Sequence, residues 1–398
     1  LDGKEIFISD AVGSNHDLSS ISVLDYPYLK VAFNTKDKVN LTPSQWKNWA
    51  VLYEPVAEGI LVFKGPESFL TVEEGQAWNS TFGFTNMTSK NFKASLRVDL
   101  EIVNKQTQNR EQQNFTIVAP APGDTTFFDI TSSTLGKIGK NDVNVFVNKR
   151  ILAETYYDNN FIALPDYLTV LADKTPPILD VTFDKRTLRN GDYVSSTPEI
   201  IITMVDENQF RFKSDTLGVT LLLSYPCTNS PCPFTRIPLS GDDVKWFAGT
   251  ASSNFRIEFT PQLADGDYVL SAQVADASGN LSGEVPYEIS FTVISEPSLS
   301  FTSVFPNPSV GDFFFNFILT GNELPNEFLL EIFTMQGQRV RTFDATSIQQ
   351  FTIGTNQLMW DGREATGAYL PRGVYAYRLR VKTPSKETST QGKLVLMR

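Results

Sequence analysis

Period-two alternation is the feature that most constrains this chain. Val374, Ala376 and Arg378 alternate with Tyr375, Tyr377 and Leu379, which puts the aromatic set on one face of an extended strand. Comparable runs recur at Trp78–Phe84, Leu96–Val103, Asn141–Asn148, Ile178–Phe183, Glu199–Val205, Val219–Ser224, Asn254–Phe259, Tyr268–Asp276, Glu288–Val293 and Phe328–Phe333. Turn signals such as Pro120-Ala121-Pro122-Gly123-Asp124, Asp276-Ala277-Ser278-Gly279-Asn280 and Met335-Gln336-Gly337-Gln338 separate them. With 30 Phe and 13 Tyr beside frequent Val, Ile and Thr, the composition is that of many short strands. Helical spacing is confined to the neighbourhood of Pro43–Val51, where Ser44 to Trp49 could form a turn or two after Thr42-Pro43.

The pattern predicts an all-β chain of tandem immunoglobulin-like β-sandwich domains in an extended array. Residues 1–64, with strand candidates at Tyr28–Phe33, Trp49–Tyr53 and Ile60–Phe63, read as the end of an upstream domain plus a connector. A start at Leu1, without Met or a signal peptide, predicts a processed chain or a piece of a longer one. Residues 65–172 read as one sandwich. Asp173-Lys174-Thr175-Pro176-Pro177 is a stiff linker, because proline fixes φ and withholds a donor. Residues 173–297 make the next sandwich, Ser295-Glu296-Pro297-Ser298 the next linker, and residues 298–398 the last module.

Charge and side-chain chemistry exclude several function classes. A net charge of −11 argues against nucleic-acid binding, which needs clustered cations. No apolar run reaches the ~18–20 residues of a membrane span. Cys227 and Cys232, four residues apart in between, suit a small disulfide loop better than half of a metal site, because His16 is the only histidine. A disulfide points outside the cytoplasm. His16 leaves no histidine partner for a cysteine or serine nucleophile, and no glycine-rich phosphate loop is present, so the chain reads as non-enzymatic. Asp206-Glu207-Asn208, Asp242-Asp243 and Asp265-Gly266-Asp267 read first as turn chemistry, with calcium ligation as the alternative, so no cofactor is expected unless calcium.

Three resemblances add to this. Asn144, Glu154 and Asn159-Asn160 resemble the closing strands of adhesion-type immunoglobulin modules of bacterial surface proteins. Asp124-Thr125-Thr126 and Asp215-Thr216-Leu217 resemble O-glycosylation acceptor sites of exported Bacteroidetes proteins, with Thr125 and Thr216 as the acceptors. The last module resembles the type A C-terminal sorting domain of the type IX secretion system. The matching residues appear in family order: Asn307-Pro308, Phe313–Phe317, Gly337 after Leu330–Met335, Trp360-Asp361-Gly362, Gly367, Gly373 and Tyr375, and the closing Gly392-Lys393-Leu394-Val395.

That resemblance implies export through the periplasm to the cell surface or the medium. It implies as partners the type IX outer-membrane translocon with its shuttle barrel protein, and a sortase and surface lipopolysaccharide if the domain is processed. Processing would fall near Ser295–Ser303. Upstream, Tyr26–Lys30, Asp180–Asp184 and Asn190–Ser195 resemble the C-terminal region of gingipain-type, sortase-like cysteine peptidases, whose catalytic domain would lie before this chain. The expected function is a non-catalytic stalk and type IX secretion signal. The alternative is an adhesin or structural surface protein built only of sandwiches.

Overall fold

In the computed structural model the described residues are 17–22, 25, 26, 28–30, 32, 36–42, 50–66, 69–228, 231–348 and 350–397. His16, the helical turn expected at Ser44–Trp49 and parts of the strands expected at Tyr28–Phe33 and Trp49–Tyr53 lie outside them. Two compact units are present, residues 1–172 and 173–398.

The first unit holds β1 (Gly59–Phe63), β2 (Leu70–Glu73), β3 (Trp78–Asn86), β4 (Leu96–Asn104), β5 (Arg110–Ile117), β6 (Thr125–Ser132), β7 (Gly139–Val147) and β8 (Phe161–Leu171). They form a three-stranded sheet, β1-β3-β6, and a five-stranded sheet, β2-β8-β7-β4-β5. Alternate residues of both sheets, including Trp78, Phe82, Phe84, Val98, Leu100, Val143 and Val145, are buried between them. Residues 60–63, read from the sequence as a strand of the segment before residue 65, pair with β3 from Gly59↔Asn86 to Phe63↔Phe82, so this strand belongs to the same sandwich as β3. The reason is apolar: Leu61 is buried and Phe63 packs 5.0 Å from Phe82.

A buried carboxylate fastens that strand. Glu154 accepts bonds from Gly59 N at 2.7 Å, from Asn160 Nδ2 at 2.7 Å and from Asn148 Nδ2. Burial pushes its carboxyl above the usual range, against those bonds. Its asparagine partners are thus Asn148 and Asn160. Asn144, singled out from the sequence, lies on β7 opposite Glu101 of β4.

The second unit holds two sandwiches. The first comprises β9 (Ile178–Phe183), β10 (Asp192–Val194), β11 (Ile200–Val205), β12 (Thr220–Ser224), β13 (Phe234–Arg236), β14 (Val244–Phe247), β15 (Phe255–Phe259), β16 (Gly266–Gln273) and β17 (Tyr287–Val293). Its sheets are β10-β17-β16-β12-β13 and β14-β15-β11-β9. Cys227 and Cys232 form a disulfide between β12 and β13, as their spacing predicts.

The C-terminal sandwich comprises β18 (Ser298–Phe305), β19 (Phe313–Thr320), β20 (Glu327–Thr334), β21 (Arg339–Asp344), β22 (Gly354–Trp360), β23 (Gly373–Lys382) and β24 (Glu387–Leu396). Its sheets, β18-β19-β22 and β21-β20-β23-β24, are antiparallel throughout. The alternation of residues 374–379 holds: Tyr375, Tyr377 and Leu379 are buried with Phe313, Phe315, Phe317 and Trp360. Each such side chain contributes about 1.5–3 kcal/mol of apolar burial. Residues 298–303, the later part of the stretch where processing was expected, lie in β18, which pairs with β19 from Ser298↔Thr320 to Phe305↔Phe314.

Candidate functional site

Residues that the sequence scatters over the last module meet at one end of its sandwich. Asn307 acts as a substitute strand residue beside β24. Its side chain accepts from Val395 N at 2.9 Å and donates to Lys393 O at 3.0 Å. Ser309 N then donates to Val395 O, and Met397 N to Ser309 O. Pro308, between them, has no N–H to leave unpaired. The Asn-Pro pair therefore closes the edge of the final strand.

The Trp360-Asp361-Gly362 turn lies at the same end. Trp360 is buried, stacks on Phe313 at 5.3 Å and donates Nε1–H to Arg363 O at 2.8 Å. Gly362 has φ +73°, and a Cβ there would lie 3.0 Å from Gly311 O. Asp361 Oδ1 accepts from Arg363 N, and the Arg363 guanidinium lies 3.9 Å from the Tyr369 ring centroid. Tyr375 is buried at the start of β23 and donates to Pro371 O at 2.7 Å. Gly373 pairs with Leu396. The Gly337 turn joins β20 to β21 beside Tyr375, since Thr334 and Tyr375 are register partners. Gly367 closes the 363–369 loop at φ +90°. Gly392 belongs to the strand body, where it pairs with Tyr377; a Cβ there would collide with the tyrosine hydroxyl.

The signature therefore divides. Trp360, Gly362, Tyr375 and Gly392 build the sandwich. Around them the end exposes Met335, Tyr369, Val374, Met397 and Val310, the last 67% exposed. Met335 and Val374 fall in stretches the sequence already marked, and Val310 does not. Gly321, Asn322, Gly354 and Lys386 occupy the opposite end, against the preceding sandwich and the chain that joins the two.

The acidic turns resolve differently. Asp265 accepts from Ser295 N and Oγ, and Asp267 from Thr292 Oγ1, as turn and cross-strand chemistry. Asp206 instead meets Asp173 and Asp276, their carboxylate oxygens lying within 4.8 Å of one another. These are the residues that could hold a cation among those described. Burial, with a smaller repulsion from Asp276 and Asp173, pushes the Asp206 carboxyl up to about 6. Asp276 accepts from Ser278 N, Asn280 N and Asn280 Nδ2, so it also holds the 276–280 turn. The Thr125 hydroxyl shares a 2.7 Å bond with that of Thr85, and Thr216 sits half-buried before β12.

No family profile and no curated protein sequence matches the chain. Among solved structures, dimeric latent PorU of Porphyromonas gingivalis aligns with 86% of this chain at 17% identity and a TM-score of 0.24. The chain spans 34% of that PorU chain. The CARDB domain of PF1109 from Pyrococcus furiosus, solved with di-metal ions, aligns with 32% of this chain and 100% of its own at 16% identity and a TM-score of 0.24. Fibronectin(III)-like modules of Clostridium thermocellum CbhA align with 59% of this chain and 94% of their own at 14% identity and a TM-score of 0.21. The β-sandwich class rests on this chain's own sheets. The disulfide fits an oxidising, extracytoplasmic compartment. Among the described residues no helix is long and apolar enough to cross a membrane.

Proposed function

We propose that this chain is the non-catalytic C-terminal region of a larger exported protein, with β-sandwich spacers ending in a type IX sorting domain at residues 298–398. The observation that carries the reading is the meeting of Asn307-Pro308, Gly337, Trp360-Asp361-Gly362, Gly373 and the Lys393–Met397 end on one face, turned away from the preceding sandwich. Local strand packing accounts for the buried members. The exposed apolar rim of Val310, Met335, Tyr369, Val374 and Met397 is the part left for a partner. That partner is the outer-membrane shuttle barrel protein, and the upstream portion is the catalytic head of a sortase-like cysteine peptidase.

Pull-down of the shuttle barrel protein with the full chain tests this, against a chain lacking residues 305–398 and against a Tyr369→Ala/Val374→Asp double variant. Capture by the full chain, loss on deletion and at least about tenfold weakening in the double variant are expected. Equal capture by all three would defeat the reading.

A further inference from the structure

Three segments of the sandwich that opens the second unit bring a carboxylate to one place. Asp173 stands ahead of β9, Asp206 directly after β11, and Asp276 on the turn between β16 and β17. One oxygen from each lies within 4.8 Å of the other two. Asn280 holds two of the segments together, donating Nδ2–H to Asp173 O at 3.3 Å and to Asp276 Oδ2 at 2.8 Å.

Turn chemistry uses only part of this oxygen. Asp173 Oδ1 accepts from Thr175 N at 3.1 Å, and Asp206 Oδ1 from Asn208 N at 3.2 Å. Asp173 Oδ2 is left over: it is wholly buried and accepts no hydrogen bond. Ser278 Oγ, on the Asp276 turn, is also buried without a partner. A buried anionic oxygen with neither donor nor counter-charge is strongly destabilising. The charges that act most on Asp206 are those of Asp276, Asp173 and Glu207, all negative. Asp265 and Asp267 show the contrast, each accepting from a hydroxyl, of Ser295 and of Thr292. The Asp173 cluster keeps a buried acceptor and uncompensated negative charge, which a cation satisfies and a turn does not.

We propose that Asp173, Asp206 and Asp276 form a calcium site. Carboxylate donors without histidine or cysteine suit a hard cation rather than zinc or copper. Calcium–oxygen bonds of about 2.3–2.6 Å let one ion bridge oxygens up to about 5 Å apart, so three oxygens within 4.8 Å can share it. With water completing the shell, the affinity should fall at about 0.1–1 mM, the range of extracellular modules. That matches the compartment indicated by the Cys227–Cys232 disulfide. The ion ties Asp173, on the segment that leads into β9, to two loops of the same sandwich, and so fixes how the chain enters it. The site is independent of the sorting reading.

The test is thermal unfolding of the full chain, stripped of metal by chelator and dialysis, with calcium chloride or magnesium chloride added at constant ionic strength. Calcium at about 10 mM should raise the transition of residues 173–398 by about 3–8 °C, saturably, and magnesium should raise it clearly less. Asp206→Asn and Asp173→Asn, which keep the shape of the side chain, should each weaken the apparent calcium affinity at least about tenfold. Asp265→Asn, a turn carboxylate of the same sandwich outside the cluster, should leave it unchanged. Equal shifts with the two salts, or the same calcium response in the unaltered chain and in Asp206→Asn and Asp173→Asn, would overturn the proposal. If one of these variants fails to fold, the other decides. No secretion component enters the assay, so a failed shuttle pull-down and a failed calcium response are separate results.

Discussion

Single residues explain why the signature is spelled as it is. Gly392 is small because the Tyr377 ring crosses it. Gly392→Ala should cost about 1–3 kcal/mol by urea denaturation, and Tyr377→Leu in the same chain should recover part of that loss. Asp206 gives a pH prediction. Its carboxyl is held above its ordinary 3.8, at about 6, so the folded chain binds that proton more tightly than the unfolded chain. The resulting stability is full below the ordinary value and is lost as pH rises through about 6. In chelator-treated buffer, Asp206→Asn should therefore raise the melting temperature at about pH 7.5, where the buried carboxylate is charged, and less at about pH 4. If added calcium reverses that order, a cation is neutralising the cluster. Neither residue's partner could be read locally. Tyr377 lies on another strand, and Asp173 and Asp276 stand far from Asp206 in the chain.

At the scale of elements, strands were legible where one face is apolar and obscure where both are polar. β5, Arg110–Ile117, carries Glu111, Gln112, Gln113 and Asn114 at the edge of its sheet, so alternation has little to act on. β24 begins at Glu387 rather than Gly392 because Thr388–Gln391 pair with β23 through their backbone. β18 was obscured by serine and proline beside it; pairing with β19 and packing of Leu299 and Val304 on the core hold it. β20 shows a strand stabilised across the sheet. Glu331 is buried on it between Arg378 at 2.7 Å and Arg339 at 3.1 Å. The bond from Arg378 holds its carboxyl below the usual range, so its contribution is present above the ordinary 4.5 and lost as pH falls through the lowered value. Glu331→Gln should cost about 1 kcal/mol at neutral pH, since both guanidiniums remain largely in water, and the difference should fade under acid. Paired denaturation curves across the acid range check this.

At the scale of the molecule, a disulfide and a domain contact act on the second unit. The Cys227–Cys232 bridge closes a short loop, which predicts about 2 kcal/mol of stabilisation. A Cys227→Ser/Cys232→Ser variant should lose that amount in the unfolding of residues 173–398 and leave residues 1–172 unchanged, as followed by hydrogen exchange. Residues 294–297 connect β17 to β18, and the two sandwiches they join fall in one compact unit.

The sequence by itself determined the strand-rich class, the buried faces, the disulfide and the order of the signature, because alternation, turn chemistry and short loops are local. Only the tertiary structure decided that Asn307 caps β24, that Asn148 and Asn160 serve Glu154, and that Asp173, Asp206 and Asp276 converge. It also decided that the signature residues share one end of the sandwich while the chain that joins it to the preceding sandwich lies at the other. Those contacts depend on sheet order and register between strands remote in the chain, and a local pattern does not specify either.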